Sequence, residues 1–154
     1  MGGSVPKQFL SIGGEPLIVQ SLRVLQAASV IDQVVLAVPS ADIDYCEREI
    51  VARHRFTKVT RVVAGGAERQ DSVRCALAQI PSDTEIVLIH DAVRPFVTQR
   101  MVEEVVAAAR KEGAAIIALP MRDTVKQVRK DGMIERTVDR SPLWLAQTPQ
   151  AFRR

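Results

Sequence analysis

His90-Asp91-Ala92-Val93-Arg94-Pro95 sets an imidazole, a carboxylate and a guanidinium within a short span. Asp91 can approach a metal-bound phosphate or a hydroxyl, and Arg94 can grip a phosphate through its planar fork. The same two residues read equally well as a structural ion pair at a strand end. A second cation, Lys7, lies in Pro6-Lys7-Gln8-Phe9; taken alone it is a solvated lysine ahead of a helix. The third segment is Gly65-Gly66-Ala67-Glu68-Arg69-Gln70-Asp71-Ser72. Its glycines let backbone come close to a ligand, and the helix start that follows offers unpaired N–H groups. A plain turn before a capped helix is the simpler account of a lone Gly-Gly. Cations, an acid and free N–H groups together suit a small anionic ligand.

These residues need elements to hold them. Ile86 to Ile89 is a short apolar run, the pattern of a strand covered on both faces, and it delivers Asp91 to a carboxyl end. In open α/β sheets ligands bind at that end. Pro16 opens a helix with Ile18, Leu22 and Leu25 at helical spacing, and Val34 to Val38 is a strand. Ser40 offers an N-cap for a helix to about Arg53, with Ile43, Cys46 and Ile50 on one face. Val59 to Ala64 predicts a strand, and about Glu68 to Ile80 a helix burying Val73, Ala76, Leu77 and Ile80. Thr98 caps a helix with Met101, Val102, Val105, Val106 and Ala109 inward; Gly113 stops it, and Ala114 to Leu119 is the next strand. Strand and helix alternate, which predicts a doubly wound, mostly parallel α/β sheet. After Pro120 the pattern changes. Thr124 to Val128 and Ile134 to Val138 flank the turn Lys130-Asp131-Gly132 and predict a polar hairpin arm that protrudes.

Composition removes several classes. With 154 residues the chain suits one domain, and 47% hydrophobic against 25% charged residues is ordinary for a globular protein. Basic residues are scattered and aromatics reach only 4%, so neither a basic face nor a stacking platform for nucleic acid is evident. No apolar run approaches the roughly 20 residues that span a bilayer, and the start, Met1 to Lys7, lacks the apolar core of a signal peptide. Cys46 and Cys75 have no zinc spacing and fit a reducing cytoplasm.

Six motifs occur in order: Pro6-Lys7-Gln8-Phe9, Gly65-Gly66-x-x-Arg69-x-x-Ser72, His90-Asp91-Ala92-Val93-Arg94-Pro95-Phe96, Arg122-Asp123-Thr124-Val125-Lys126, Val138-Asp139-Arg140, and Leu143-Trp144-x-x-Gln147-Thr148-Pro149-Gln150-x-Phe152. Together the chain resembles the 2-C-methyl-D-erythritol 4-phosphate cytidylyltransferases. The resemblance implies a Rossmann-like sheet of nucleotidyltransferase type, one domain over residues 1–154 with a β-arm at about 121–140. It also implies transfer of CMP from CTP to methylerythritol phosphate, with release of pyrophosphate and with Mg2+. By the same resemblance Lys7 and Arg140 are catalytic, and Gly66, Ser72, Asp91 and Arg94 bind the nucleotide. Asp91 also lies by the metal, Arg69 organises the loop, and Thr124 and Arg140 hold the sugar phosphate. The arm completes the site of a neighbouring subunit, making a homodimer. Arg140 beside Asp139 also reads as half of an arm ion pair, and Thr124 as a plain strand residue. The family opens with a central apolar strand and a glycine-rich loop and continues past Phe152; both parts are expected to be absent here. Alternatives are a ribitol-5-phosphate cytidylyltransferase and an inactive nucleotide-binding or dimerisation module.

Overall fold

The computed structural model describes residues 6–154; expectations that fall on Met1 to Val5 lie outside the described residues. A single 3-10 turn, Lys7–Phe9, comes first, then the short antiparallel pair β1 (Ser11–Ile12) and β2 (Glu15–Pro16). Helix α1 (Leu17–Ala27) starts after Pro16, whose extended backbone suits the N-cap position. It buries Ile18, Val19, Leu22 and Leu25. β3 (Val34–Val38) and β4 (Val59–Ala64) pair in parallel, both at the places the sequence predicts for strands. Between them a helical stretch runs from Ser40 to Ala52, but not as one regular α-helix. It opens with a 3-10 turn, passes through α2 (Ile43–Tyr45) and ends as a π-helical segment, Cys46–Ala52. The N-cap position is held by Pro39 and Ser40 is the first residue of the turn, contrary to the sequence expectation. Cys46 and Ile50 nevertheless face the core with Ile18, Leu36, Val38 and Phe56.

Helix α3 (Arg69–Leu77), strand β5 (Ile86–Ile89) and helix α4 (Gln99–Glu112) follow. The α4 ends behave as the sequence implies. Thr98 Oγ1 accepts from Met101 N–H at 3.2 Å, and Gly113 at φ 94° donates its N–H to Ala109 at 2.8 Å. A non-glycine residue would be strained at that φ. Val102, Val105, Val106 and Ala109 are buried, whereas Met101 is only partly so.

Strand β6 (Ala114–Pro120) does not pair with β5. The ten-residue strand β9 (Trp144–Arg153) runs antiparallel between the two, giving the order β5-β9-β6. The sequence reading did not place this strand. Pro149 argues against a central strand, because it cannot donate to a ladder. The structure accommodates it in an irregular step: Ile116 pairs with Gln150 and Ala118 with Ala146, leaving Gln147 to Pro149 opposite a single residue. The hairpin β7 (Val125–Val128) and β8 (Ile134–Val138) forms its own two-stranded sheet, turned by Gly132 at φ 85°. Val128 and Ile134 are more than half exposed, while Val125 and Val138 are half-buried.

The β3-β4 and β5-β9-β6 sheets are separate. Between β3 and β5 lies a cavity of about 660 Å³, lined by Val34 to Ala37 on one side and Ile86 to Ile89 on the other. This corrects two expectations. Ile86 to Ile89 are half-buried rather than enclosed, and α3 buries none of its residues, Leu77 being exposed. Val73, Ala76, Leu77 and Ile80 line the same cavity, so the apolar face is aimed inward but meets open space.

Candidate active site

Two loops meet at strand carboxyl ends. The Gly65–Glu68 loop leaves β4 and is tied to β3 by Gly65 N–H donating to Val38 O at 2.7 Å. Gly66 N–H donates to Ser72 Oγ at 3.1 Å, and Ser72 Oγ–H reaches back to Glu68 O at 3.3 Å. The glycines are required by contact rather than by backbone angle. A Cβ on Gly66 would lie 2.3 Å from Asp71 Cβ, and one on Gly65 2.6 Å from Ser72 Oγ. Gly66 and Ser72, separated in sequence, thus form one unit at the start of α3.

The second loop, His90 to Arg94, leaves β5. Arg69 Nε donates to Asp91 Oδ1 at 2.9 Å, and Arg94 Nε donates to Asp91 Oδ2 at 3.1 Å. Burial alone would raise the Asp91 pKa; the two guanidiniums outweigh it and hold the carboxyl below its usual range. Arg69, from α3, therefore joins the glycine loop to the acid. Arg94 Nη1 also bonds Gln147 Oε1. Thr148 Oγ1 accepts from Asp91 N–H at 3.2 Å. Both Gln147 and Thr148 come from the irregular step in β9, the kind of distortion that re-aims side chains beside sites. Sequence reasoning assigned neither a role; their place in the Leu143–Phe152 motif was the available signal. Ser21 of α1, buried, donates to Ala92 O at 3.1 Å. His90 is held neutral-leaning: burial pushes its pKa down against the pull of the Arg94 carbonyl and Asp91.

Lys7 is exposed on its 3-10 turn. Phe9 anchors that turn by an edge-on contact with Tyr45, centroids 5.0 Å apart. Gln8, next to Lys7, lines a cavity of about 330 Å³ with Ala37, Val38, Asp91 and Ala92. The lysine segment and the Asp91 loop thus border one space, which adjoins the larger cavity through Asp91 and Ala92.

The arm residues lie apart. Thr124 and Arg140 are exposed, and Arg140 Nη1 bonds the Arg122 carbonyl at the arm's base. Asp139 is not its ion-pair partner; that carboxylate accepts from Ser141 N–H at 3.0 Å and from its hydroxyl at 2.8 Å. Among the described residues no hydrogen bond or ion pair joins Thr124 or Arg140 to Lys7, Gly66, Ser72, Asp91 or Arg94.

The model of the 2-C-methyl-D-erythritol 4-phosphate cytidylyltransferase family matches residues 1–154. The chain belongs to that family. A 2-C-methyl-D-erythritol 4-phosphate cytidylyltransferase of Syntrophus aciditrophicus is 49% identical over 154 residues, 100% of this chain and 66% of the relative. One from Geobacter metallireducens is 44% identical over 156 residues, 99% of this chain and 67% of the relative. Among solved structures, 4-diphosphocytidyl-2C-methyl-D-erythritol synthase from Anaerococcus prevotii superposes with TM-score 0.85 at 28% identity, covering 99% of this chain and 66% of that one. The cytidylyltransferase of Thermus thermophilus gives TM-score 0.75 at 33% identity, over 96% and 65%. The chain spans about two thirds of the length of the curated relatives it matches. No described helix is long and apolar enough to cross a membrane.

No group of three or more metal-ligating side chains occurs among the described residues. Asp91 is one carboxylate, and both its oxygens are engaged by arginines. Such a donor set cannot cage an ion alone. It does suit a magnesium that arrives on phosphates and keeps most of its waters.

Proposed function

We propose that this protein transfers CMP from CTP to 2-C-methyl-D-erythritol 4-phosphate and releases pyrophosphate, as a single nucleotidyltransferase domain of the cytoplasm. The observation that carries the reading is the meeting of three segments: Arg69 joins the Gly66–Ser72 unit to the Asp91 loop, and the Lys7 turn borders that loop through Gln8. A lysine and two arginines make that edge a receptor for a polyphosphate.

An oxygen of the sugar phosphate attacks the α-phosphorus of CTP. A new P–O bond forms, the α–β anhydride breaks, and the electron pair leaves on pyrophosphate. The attacking phosphate is already anionic, so no general base is needed. Charge grows on the α-phosphate oxygens and on the leaving group, and Lys7 supplies the cation that meets it. Gly66 and Ser72 receive the cytosine. Asp91 lies by the nucleotide and would offer an oxygen to magnesium carried by the triphosphate, while Arg94 and Arg69 hold that carboxylate in place. Mg2+ supplies charge neutralisation on the phosphates when bound.

Thr124 and Arg140 bind the acceptor's phosphate in the site of a neighbouring subunit. Their exposure and their lack of any bond to the Lys7 and Asp91 segments within one chain support this arrangement, as do the exposed Val128 and Ile134 of the arm. The test is pyrophosphate release from Mg–CTP with methylerythritol phosphate or ribitol 5-phosphate as acceptor. Turnover should be at least about 100-fold better with the former, the discrimination that a site built around polar substrate groups reaches readily. Preference for ribitol 5-phosphate would reassign the acceptor, and no release with either would leave a nucleotide-binding module.

A further inference from the structure

Thr148 is nearly buried, at 8% exposure, in the irregular step of β9. Its Oγ1 accepts the Asp91 N–H at 3.2 Å and lies 3.2 Å from His90 Nδ1. The other ring nitrogen, Nε2, lies 3.2 Å from the Arg94 carbonyl oxygen. A carbonyl can only accept, so the ring hydrogen must sit on Nε2. In the neutral ring Nδ1 is then an acceptor, and the Thr148 hydroxyl is the donor beside it. The bonds run in one direction: Asp91 N–H to Thr148 Oγ1, Thr148 O–H to His90 Nδ1, and His90 Nε2–H to Arg94 O. Each end of the chain lands on the backbone of the loop itself. The Ser21 hydroxyl adds a clamp between Ala92 O at 3.1 Å and Arg94 O at 3.4 Å.

We propose that His90 and Thr148 are positioning residues, a relay that fixes the 90–94 backbone and so presents the Asp91 carboxylate and the Arg94 guanidinium to the nucleotide. The imidazole is not a proton-transfer group: both of its nitrogens are spent on the loop and on Thr148. The relay also gives a purpose to the break in β9, since a regular strand would set residue 148 in strict alternation between the two sheet faces, and the break re-aims it into this loop. The part concerning nucleotide presentation rests on the function proposed above.

The chain has two histidines, so His54→Gln leaves His90 as the only imidazole signal. Long-range proton–nitrogen NMR at neutral pH should show His90 as the Nε2–H tautomer, with the Nδ1 resonance moved in Thr148→Val and restored in Thr148→Ser. Calorimetric titration with Mg–CTP should show Thr148→Val weakened on the order of 10-fold, the loss that follows when one buried hydrogen-bond partner is removed. Thr148→Ser, which keeps the hydroxyl, should stay within about threefold of wild type on the same reasoning. An Nδ1–H ring or a tautomer mixture in the otherwise unaltered chain overturns the relay. So does Thr148→Ser binding as weakly as Thr148→Val, which would mark the site as shape alone. Absence of CTP binding by the wild type would remove the nucleotide reading, and the ring spectrum would then decide the relay by itself. If Thr148→Val fails to fold, the wild-type spectrum and the serine variant still decide.

Discussion

Lys7 is the residue whose role sequence and structure approach from opposite sides. The motif marks it as the cation of the chemical step; the structure sets it exposed on a turn whose neighbour, Gln8, borders the Asp91 cavity. Lys7→Ala should lower kcat by about 100-fold or more, comparable to removing an oxyanion-stabilising donor. A raised KM for CTP with normal kcat would reduce Lys7 to ground-state binding. Asp91 makes a different prediction. Its folded-state pKa is depressed by Arg69 and Arg94 acting against burial. The stability this contributes is present above the unfolded value, about 3.9, and is lost as pH falls through the lower folded value. The melting temperature of the wild type should therefore fall more steeply than that of Asp91→Asn between about pH 5 and pH 3. Parallel curves would show that the two ion pairs, both partly solvated, contribute nothing measurable.

Elements were legible in the sequence where local chemistry decides them. Thr98 and Gly113 bound α4 because a cap and a positive-φ glycine are local devices, and β3 and β4 stand where the sequence places strands. What was hidden is non-local. The antiparallel insertion of β9 depends on Pro149 being tolerated opposite a skipped ladder position, which no window of sequence reveals. The exposure of α3 is likewise hidden, since its apolar face is patterned for burial but lines a cavity. In the site, Gly66, Ser72, Asp91 and Arg94 could be read from motifs, while Thr148 and Gln147 needed the strand that delivers them. The arm yields its own test. Arg140 is exposed and bound only to the Arg122 carbonyl, so it is free to exchange that bond for a phosphate. Arg140→Ala should weaken the sugar phosphate by about 1.5–3 kcal/mol, roughly 10- to 150-fold, while CTP affinity stays unchanged. Calorimetry showing equal losses for both ligands would end that division of labour.

At the scale of the whole molecule, the proposed homodimer rests on the lack, among the described residues of one chain, of any bond between Arg140 and the Lys7 and Asp91 segments. If each arm reaches the partner's site, mixing Lys7→Ala with Arg140→Ala rebuilds one intact site in every mixed dimer. Random exchange makes half the dimers mixed, so recovery should approach about a quarter of wild-type activity. No recovery despite demonstrated exchange would place each site within one chain. The central claim is the bond that forms: an oxygen of the sugar phosphate attacking the α-phosphorus of CTP. Methylerythritol phosphate labelled with 18O in its phosphate tests this directly by phosphorus NMR. All of the label should appear in a cytidine diphosphate diester, one labelled oxygen bridging the two phosphorus atoms, with pyrophosphate unlabelled. Label in pyrophosphate, or CTP consumed without a labelled diester, would contradict it.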